Sequence, residues 1–181
     1  MKKWINSISW EPVHLNAPCR RFVSASKDTV ARIWDISLKK CICLNGHTQS
    51  VTSVKWGGDG LIYTGSQDGT VKVWESTQGK LISTLKGASP HQSHGHWVNS
   101  LALSTDYVLR TGAFDHTGKQ FSSPEEMKRA ALERYNKMRG SAPERLVSGS
   151  DDRTMYLWEP FNSSKTYKTH MTGHQQANVI E

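Results

Sequence analysis

Apolar and polar residues alternate over most of the chain, and the alternation comes in repeated units. VTSVKW, from Val51 to Trp56, and VKVW, from Val71 to Trp74, change face at every residue, which is the period of a half-buried β-strand. Gly-Gly-Asp-Gly at 57–60 and Gln-Asp-Gly at 67–69 punctuate them as hairpin turns. Three segments then align without gaps: FVSASKDTVARIWD (22–35), IYTGSQDGTVKVWE (62–75) and LVSGSDDRTMYLWE (146–159). In each, a Ser or Thr stands four residues before an Asp and a Trp six after it, giving Ser24/Asp28/Trp34, Thr64/Asp68/Trp74 and Ser148/Asp152/Trp158. Each segment predicts two short strands joined by a tight turn. An alternating strand in front and an outer strand behind (LISTLK, 81–86, after the turn STQGK) complete four strands in about 40 residues, the length of a propeller blade.

One stretch breaks the period of two. In SSPEEMKRAALERYNKMRG, Ser123 reads as an N-cap, Pro124 as the first helical residue, Glu126 as the partner in a capping box and Gly140 as the stop. Met127, Ala131, Tyr135 and Met138 fall on one face, and Glu125–Arg129 and Glu133–Lys137 are spaced to pair. The expectation is a helix over about 124–139 whose exposed face is largely basic: Lys128, Arg129, Arg134, Lys137 and Arg139.

The 181 residues suit one domain or part of one. No run of about 18 apolar residues occurs, and no apolar stretch follows the two N-terminal lysines as in a secretory signal. Three cysteines, Cys19, Cys41 and Cys43, make no disulfide framework and fit a reducing compartment; Cys41 and Cys43, on one strand face, are expected in buried apolar positions. A net charge of +7 favours an anionic partner, nucleic acid first.

Gly46-His47, with the endings Trp34-Asp35, Trp74-Glu75 and Trp158-Glu159, resembles the GH…WD signature of WD40 repeats. The resemblance implies an all-β fold, a partial β-propeller of about three four-stranded blades with one inserted helix. It also implies a hydrogen-bonded tetrad in a blade, carried here onto His47, Thr64, Asp68 and Trp74. In the third unit the tetrad would be His94, Ser148, Asp152 and Trp158, with His96 as the alternative histidine; the first unit offers Ser24, Asp28 and Trp34 without one. The units are 1–45, 46–87 and 88–172, the last with insertions at 88–93 and about 113–143, and 173–181 begins a fourth. An arc of three blades leaves strand edges and blade faces open, so the chain is expected to be a piece of a longer propeller and marginal in isolation.

GHTQSVTSVKWGGDGLIYTGSQDGTVKVW, HGHWVNSLALSTDYVLRTGAF, the helix ending ERYNKMRG and PERLVSGSDDRTMYLW resemble the middle blades of the Notchless family of WD40 proteins. The resemblance covers nearly all of 4–175; the insertion ASPHQS, Ser93 in place of a glycine and the ending ANVIE depart from it. It implies a non-catalytic scaffold of large (60S) ribosomal subunit assembly in the nucleus and nucleolus, docking on rRNA and proteins of the pre-60S particle. The Midasin AAA ATPase would be reached only through a ubiquitin-like domain that this sequence does not contain. The competing reading is a signalling or ubiquitin-ligase adaptor propeller of Notch-pathway type. Adaptors of that kind often carry an arginine two residues after Trp-Asp, where Ser37, Thr77 and Phe161 stand here.

Other chemistry reads as structural. His47, Asp68 and Thr64 imitate a Ser/His/Asp set, yet no nucleophile elbow is present, so no catalytic residue is assigned. His91, His94 and His96 lack a nearby cysteine or acidic ligand, so no metal, cofactor, small-molecule substrate or membrane is expected. The basic helix face is either simply solvated or an RNA contact. Trp4 and Trp97 hold equivalent places in the first and third units, where Ser50 stands in the second, and serve as interface anchors or pack on a neighbouring blade.

Overall fold

The alternating segments pair as three antiparallel four-stranded sheets, described here from a computed structural model of residues 3–85, 93–114, 116, 118, 120–160 and 167–175. The first sheet runs β1 (Ile5–Trp10), β2 (Arg21–Ser26), β3 (Ala31–Asp35), β4 (Lys40–Leu44). The second runs β5 (Val51–Trp56), β6 (Leu61–Ser66), β7 (Val71–Glu75), β8 (Leu81–Leu85). The third runs β9 (Val98–Leu103), β10 (Leu146–Ser150), β11 (Thr154–Trp158), β12 (Thr169–Thr172). Strand order equals chain order in every sheet, and β1, β5 and β9 stand side by side as inner strands, so the sheets fan out as three blades of a partial propeller. The expected boundary at 45/46 falls in the linker between β4 and β5; that at 87/88, with residues 88–92 of the first insertion, lies outside the described residues, as does 176–181.

The period of two decides the core. Val23, Ala25, Ala31, Ile33 and Leu44 face one way from the first sheet and meet Val51, Val54, Trp56, Ile62 and Trp74 of the second. The opposite face of the second sheet, with Tyr63, Val71 and Val73, meets Leu101, Leu146 and Trp158 of the third. A tryptophan-bearing face thus packs on a smaller β-branched face at each junction. The tryptophan face of the first sheet is different. Ile8 and Trp10 are more than half exposed, and Trp34 is half-buried in a row with Phe22 and Trp10 at centroid distances of 6.3 and 5.4 Å. Cys41, cross-strand neighbour of Trp34, and Cys43 are exposed, contrary to the buried apolar use expected of them: β4 is the outer strand of this less covered sheet.

Two helices interrupt the third sheet between β9 and β10: α1 (Asp106–Thr111) and α2 (Pro124–Arg139). The insertion therefore begins earlier than residue 113, replacing the whole β9–β10 turn that in the second sheet is only Gly57–Gly60. The missed α1 is six residues long, too short for a periodic signal, although it carries Asp106 in its first turn, Arg110 in its last and Gly112 as its cap. Ser123 caps α2, its Oγ accepting from Glu126 N–H at 3.2 Å, while the Glu126 carboxylate reaches back to the N–H of Ser122. Ala131 and Tyr135 are buried and Met127 half-buried, but Met138, grouped with them by periodicity, is 51% exposed. No helix among the described residues is long and apolar enough to cross a membrane.

Candidate functional site

In the second blade, Trp74 Nε1–H donates to Thr64 Oγ1 at 2.8 Å, and Thr64 Oγ1 lies 2.7 Å from His47 Nε2. His47 Nδ1 lies 2.8 Å from Asp68 Oδ2. One assignment satisfies every atom: the Thr64 hydroxyl takes the indole proton and gives its own to Nε2, and Nδ1–H donates to the carboxylate. The third blade repeats the chain with Trp158, Ser148, His94 and Asp152 at 2.8, 2.7 and 3.0 Å. The structure thus brings His94 and not His96 to these partners; His96 is exposed, 3.6 Å from Asp151.

Around each carboxylate more donors converge. Thr70 gives its N–H and hydroxyl to Asp68, and Thr48 its N–H; Thr154 and Gly95 do the same for Asp152. Burial alone would raise both carboxyls, but the hydrogen bonds, with His47 first for Asp68 and Thr154 first for Asp152, hold both below the usual carboxylate range. Burial pushes the His94 imidazole down. The histidine sits in the linker before the inner strand and the aspartate in the β6–β7 or β10–β11 turn, so the bond ties linker to blade.

The first blade keeps only half of this. Trp34 Nε1–H donates to Ser24 Oγ at 2.9 Å, but no histidine among the described residues meets Asp28, whose carboxylate pairs with Arg32 at 2.8 Å and accepts from Val30 N–H. Val30 stands where the other blades have Thr70 and Thr154.

Thr64 and Ser148 are fully buried and already accept an indole proton, so neither hydroxyl is open to a substrate. No group of three or more His, Cys, Asp or Glu residues among those described could hold a metal; His91 lies outside them.

A second polar cluster was not legible in the sequence. It lies at the opposite end of the blades, where the inserted helices cross beneath the inner strands. Glu144 is wholly buried; its Oε1 accepts from Gly58 N–H at 3.1 Å and from the Thr105 hydroxyl. Tyr135 of α2 lies over Gly58 so closely that a Cβ there would sit 2.1 Å from its ring, and a Cβ at Gly57 would sit 2.4 Å from Glu144 Oε2. Only glycine fits either place. His14, from the β1–β2 connection, stacks on Tyr135 at 4.5 Å and donates through Nε2 to Gly58 O at 2.7 Å. Arg139 bridges to Asp59 at 2.8 Å, and Lys55 to Asp106 of α1 at 3.0 Å. Burial raises Glu144 and lowers His14, so both lean toward their neutral forms. The insertion is a buttress joined to all three sheets. The one local signal that could have found it is Gly57-Gly58, a glycine pair richer than the hairpin turn it was read as needs.

The buttress divides the basic residues of α2. Arg134 donates to the carbonyls of Gly112 and Phe114, and Arg139 to Asp59 and the Ala142 carbonyl. Lys128, Arg129 and Lys137 are exposed, with Glu125 and Glu133 exposed among them. The outer face is therefore mixed in charge, not largely basic: two of the five cations turn inward to hold the helix. Trp4 is 75% exposed and Trp97 42%, so neither is enclosed by a neighbouring blade.

Comparison with known proteins agrees with this architecture. The chain is 48% identical over 99% of its length to Protein Notchless of Drosophila melanogaster, covering 36% of that protein. It is 70% identical over 92% of its length to the Notchless protein homolog of Arabidopsis thaliana, covering 34% of it. With Ribosome assembly protein 4 of Saccharomyces cerevisiae the identity is 52% over 91% of the chain and 32% of the relative. The chain thus spans about a third of the length of these relatives. Residues 2–35, 38–75 and 140–159 match the WD domain, G-beta repeat. Three fanned sheets, each closing its turn with the same Ser/Thr, Asp and Trp, and three matching repeats over about half of the residues place the chain in the WD40 family.

Proposed function

We propose that the chain is a docking surface in assembly of the large ribosomal subunit, acting in the nucleus and nucleolus without catalysing a reaction. The observation that carries this reading is the 52% identity, over 91% of the chain, to a protein named for ribosome assembly. The closed hydroxyls of the tetrads support it, because the most triad-like groups in the molecule serve to fasten blades. The net charge of +7 supports an rRNA-containing partner such as the pre-60S particle. Lys128, Arg129 and Lys137, displayed on a helix that the buttress holds rigid, are the residues assigned to phosphate contact. A Midasin contact is assigned to a ubiquitin-like domain and not to these blades.

The test is co-sedimentation of the full-length protein with pre-60S particles at two salt concentrations. Lys128→Glu, Arg129→Glu and Lys137→Glu together should lower association about tenfold or more and flatten its salt dependence. Undiminished association of the triple variant removes the helix from the RNA contact, and absence of the unsubstituted protein from the particles sinks the whole reading.

A further inference from the structure

The turn ends of the blades, opposite the buttress, carry two exposed indoles at one repeated position. Lys27 N–H donates to Trp4 O, Gln67 N–H to Ser50 O and Asp151 N–H to Trp97 O, so the same step of each blade holds Trp, Ser and Trp. Both tryptophans lie where the chain enters an inner strand, Trp4 75% and Trp97 42% exposed. Ser50, between them, is buried and accepts from Asn6, so the middle blade places no bulk at this position.

A cation accompanies the first ring and an imidazole the second. Lys27 Nζ stands 5.0 Å from the centre of the Trp4 ring, over its face, and the His96 ring lies 5.4 Å from that of Trp97. Arg153 is exposed at the tip of the third-blade turn with φ of +66°, where the middle blade has Gly69 at +76°. The first blade has Thr29 at +74° at the same step, so the left-handed conformation belongs to the turn. Carboxylates on the same ends already have partners: Asp28 with Arg32, Asp68 with His47, Asp151 with Asn99 and Asp152 with His94.

Exposed indoles on a surface that also carries cations, where the acids already have partners, match the chemistry of an unpaired nucleotide: the base stacks on indole and the phosphate meets ammonium or guanidinium. We propose that Trp4 and Trp97, with Lys27 and Arg153, form a stacking platform for single-stranded RNA. The choice of RNA over DNA rests on the ribosome-assembly reading; the platform itself does not.

The probe is an oligoadenylate of about ten nucleotides, compared with an abasic strand of equal length by fluorescence anisotropy with the full-length protein. The base-bearing strand should bind more tightly. Trp4→Ala with Trp97→Ala should lose roughly tenfold per tryptophan on oligoadenylate and nothing on the abasic strand. Trp4→Phe with Trp97→Phe keeps stacking rings and should retain the preference, which controls for folding. Lys27→Glu with Arg153→Glu should weaken both strands and leave the preference intact. Equal affinity of the two strands for the unsubstituted chain, or a preference that survives the alanine pair, overturns the platform; so does an alanine loss shared by the abasic strand. The charge reversals on α2, at the opposite end of the blades, should leave the preference for the base-bearing strand intact, so failure of the helix contact is read separately from failure of the stacking.

Discussion

The first and second blades are built on one frame and treat one carboxylate in two ways. In both, an indole donates to the hydroxyl of the Ser or Thr ten residues earlier, and the turn aspartate accepts from the backbone two residues on. In the second blade that aspartate is covered by His47, with its side chain 8% exposed; in the first it is 32% exposed and answered by Arg32. Trp74 is 1% exposed, whereas Trp34 is half-buried. The frame alone is therefore enough to shape a strand–turn–strand. The histidine and the neighbouring sheet are what turn that shape into a fastened, dehydrated junction.

The largest effect that separates the blades is expected at the tryptophans. Trp74→Ala should cost about 3–5 kcal/mol in urea unfolding and Trp34→Ala about half as much, because only the first leaves a closed cavity. Equal losses would mean that burial does not distinguish the two faces. Next come the polar partners. His47→Ala leaves the Thr64 hydroxyl proton without an acceptor and Asp68 Oδ2 with the Thr48 N–H alone, in a buried place, and should cost about 2–3 kcal/mol, whereas Asp28→Ala, breaking a solvated pair, should cost about 1 kcal/mol. A reversed order in chemical denaturation would break the contrast.

The smallest expected effect is on pH dependence. Burial holds His94 below the ordinary imidazole value of 6.5, so on acidification the unfolded chain binds that proton first. The stabilisation is full above pH 6.5 and is lost as pH falls below it. The depressed carboxyls of Asp68 and Asp152 add a loss in the same direction at lower pH, below the ordinary aspartate value of 3.8. Urea midpoints at pH 7.5 and 5.5 should therefore drop for the unsubstituted chain and drop less for His94→Gln; an unchanged difference would remove His94 as the cause.

Legibility followed the range of the interaction. Ser24, Thr64 and Ser148 could be matched with their aspartates and tryptophans because all three lie within ten residues of one another, in a turn whose geometry repeats. The α2 boundaries were legible because a cap, a proline and a glycine act locally. The buttress was not. Gly58 and Glu144 are 86 residues apart, Asp59 and Arg139 are 80 apart, and each looks ordinary in its own segment. The inward turn of Arg134 and Arg139 escaped for the same reason: periodicity tells which face a cation occupies, not that a carbonyl or carboxylate of another element waits within its reach.

By itself, the sequence determined the strands, their order within each sheet and the frame of every turn, since alternation, turn residues and short-range hydrogen bonds are properties of neighbouring residues. Tertiary structure alone decided which faces became core, which cations stayed exposed and that an inserted helix would brace three blades. Those outcomes depend on which distant surfaces meet and on whether water is excluded where they do.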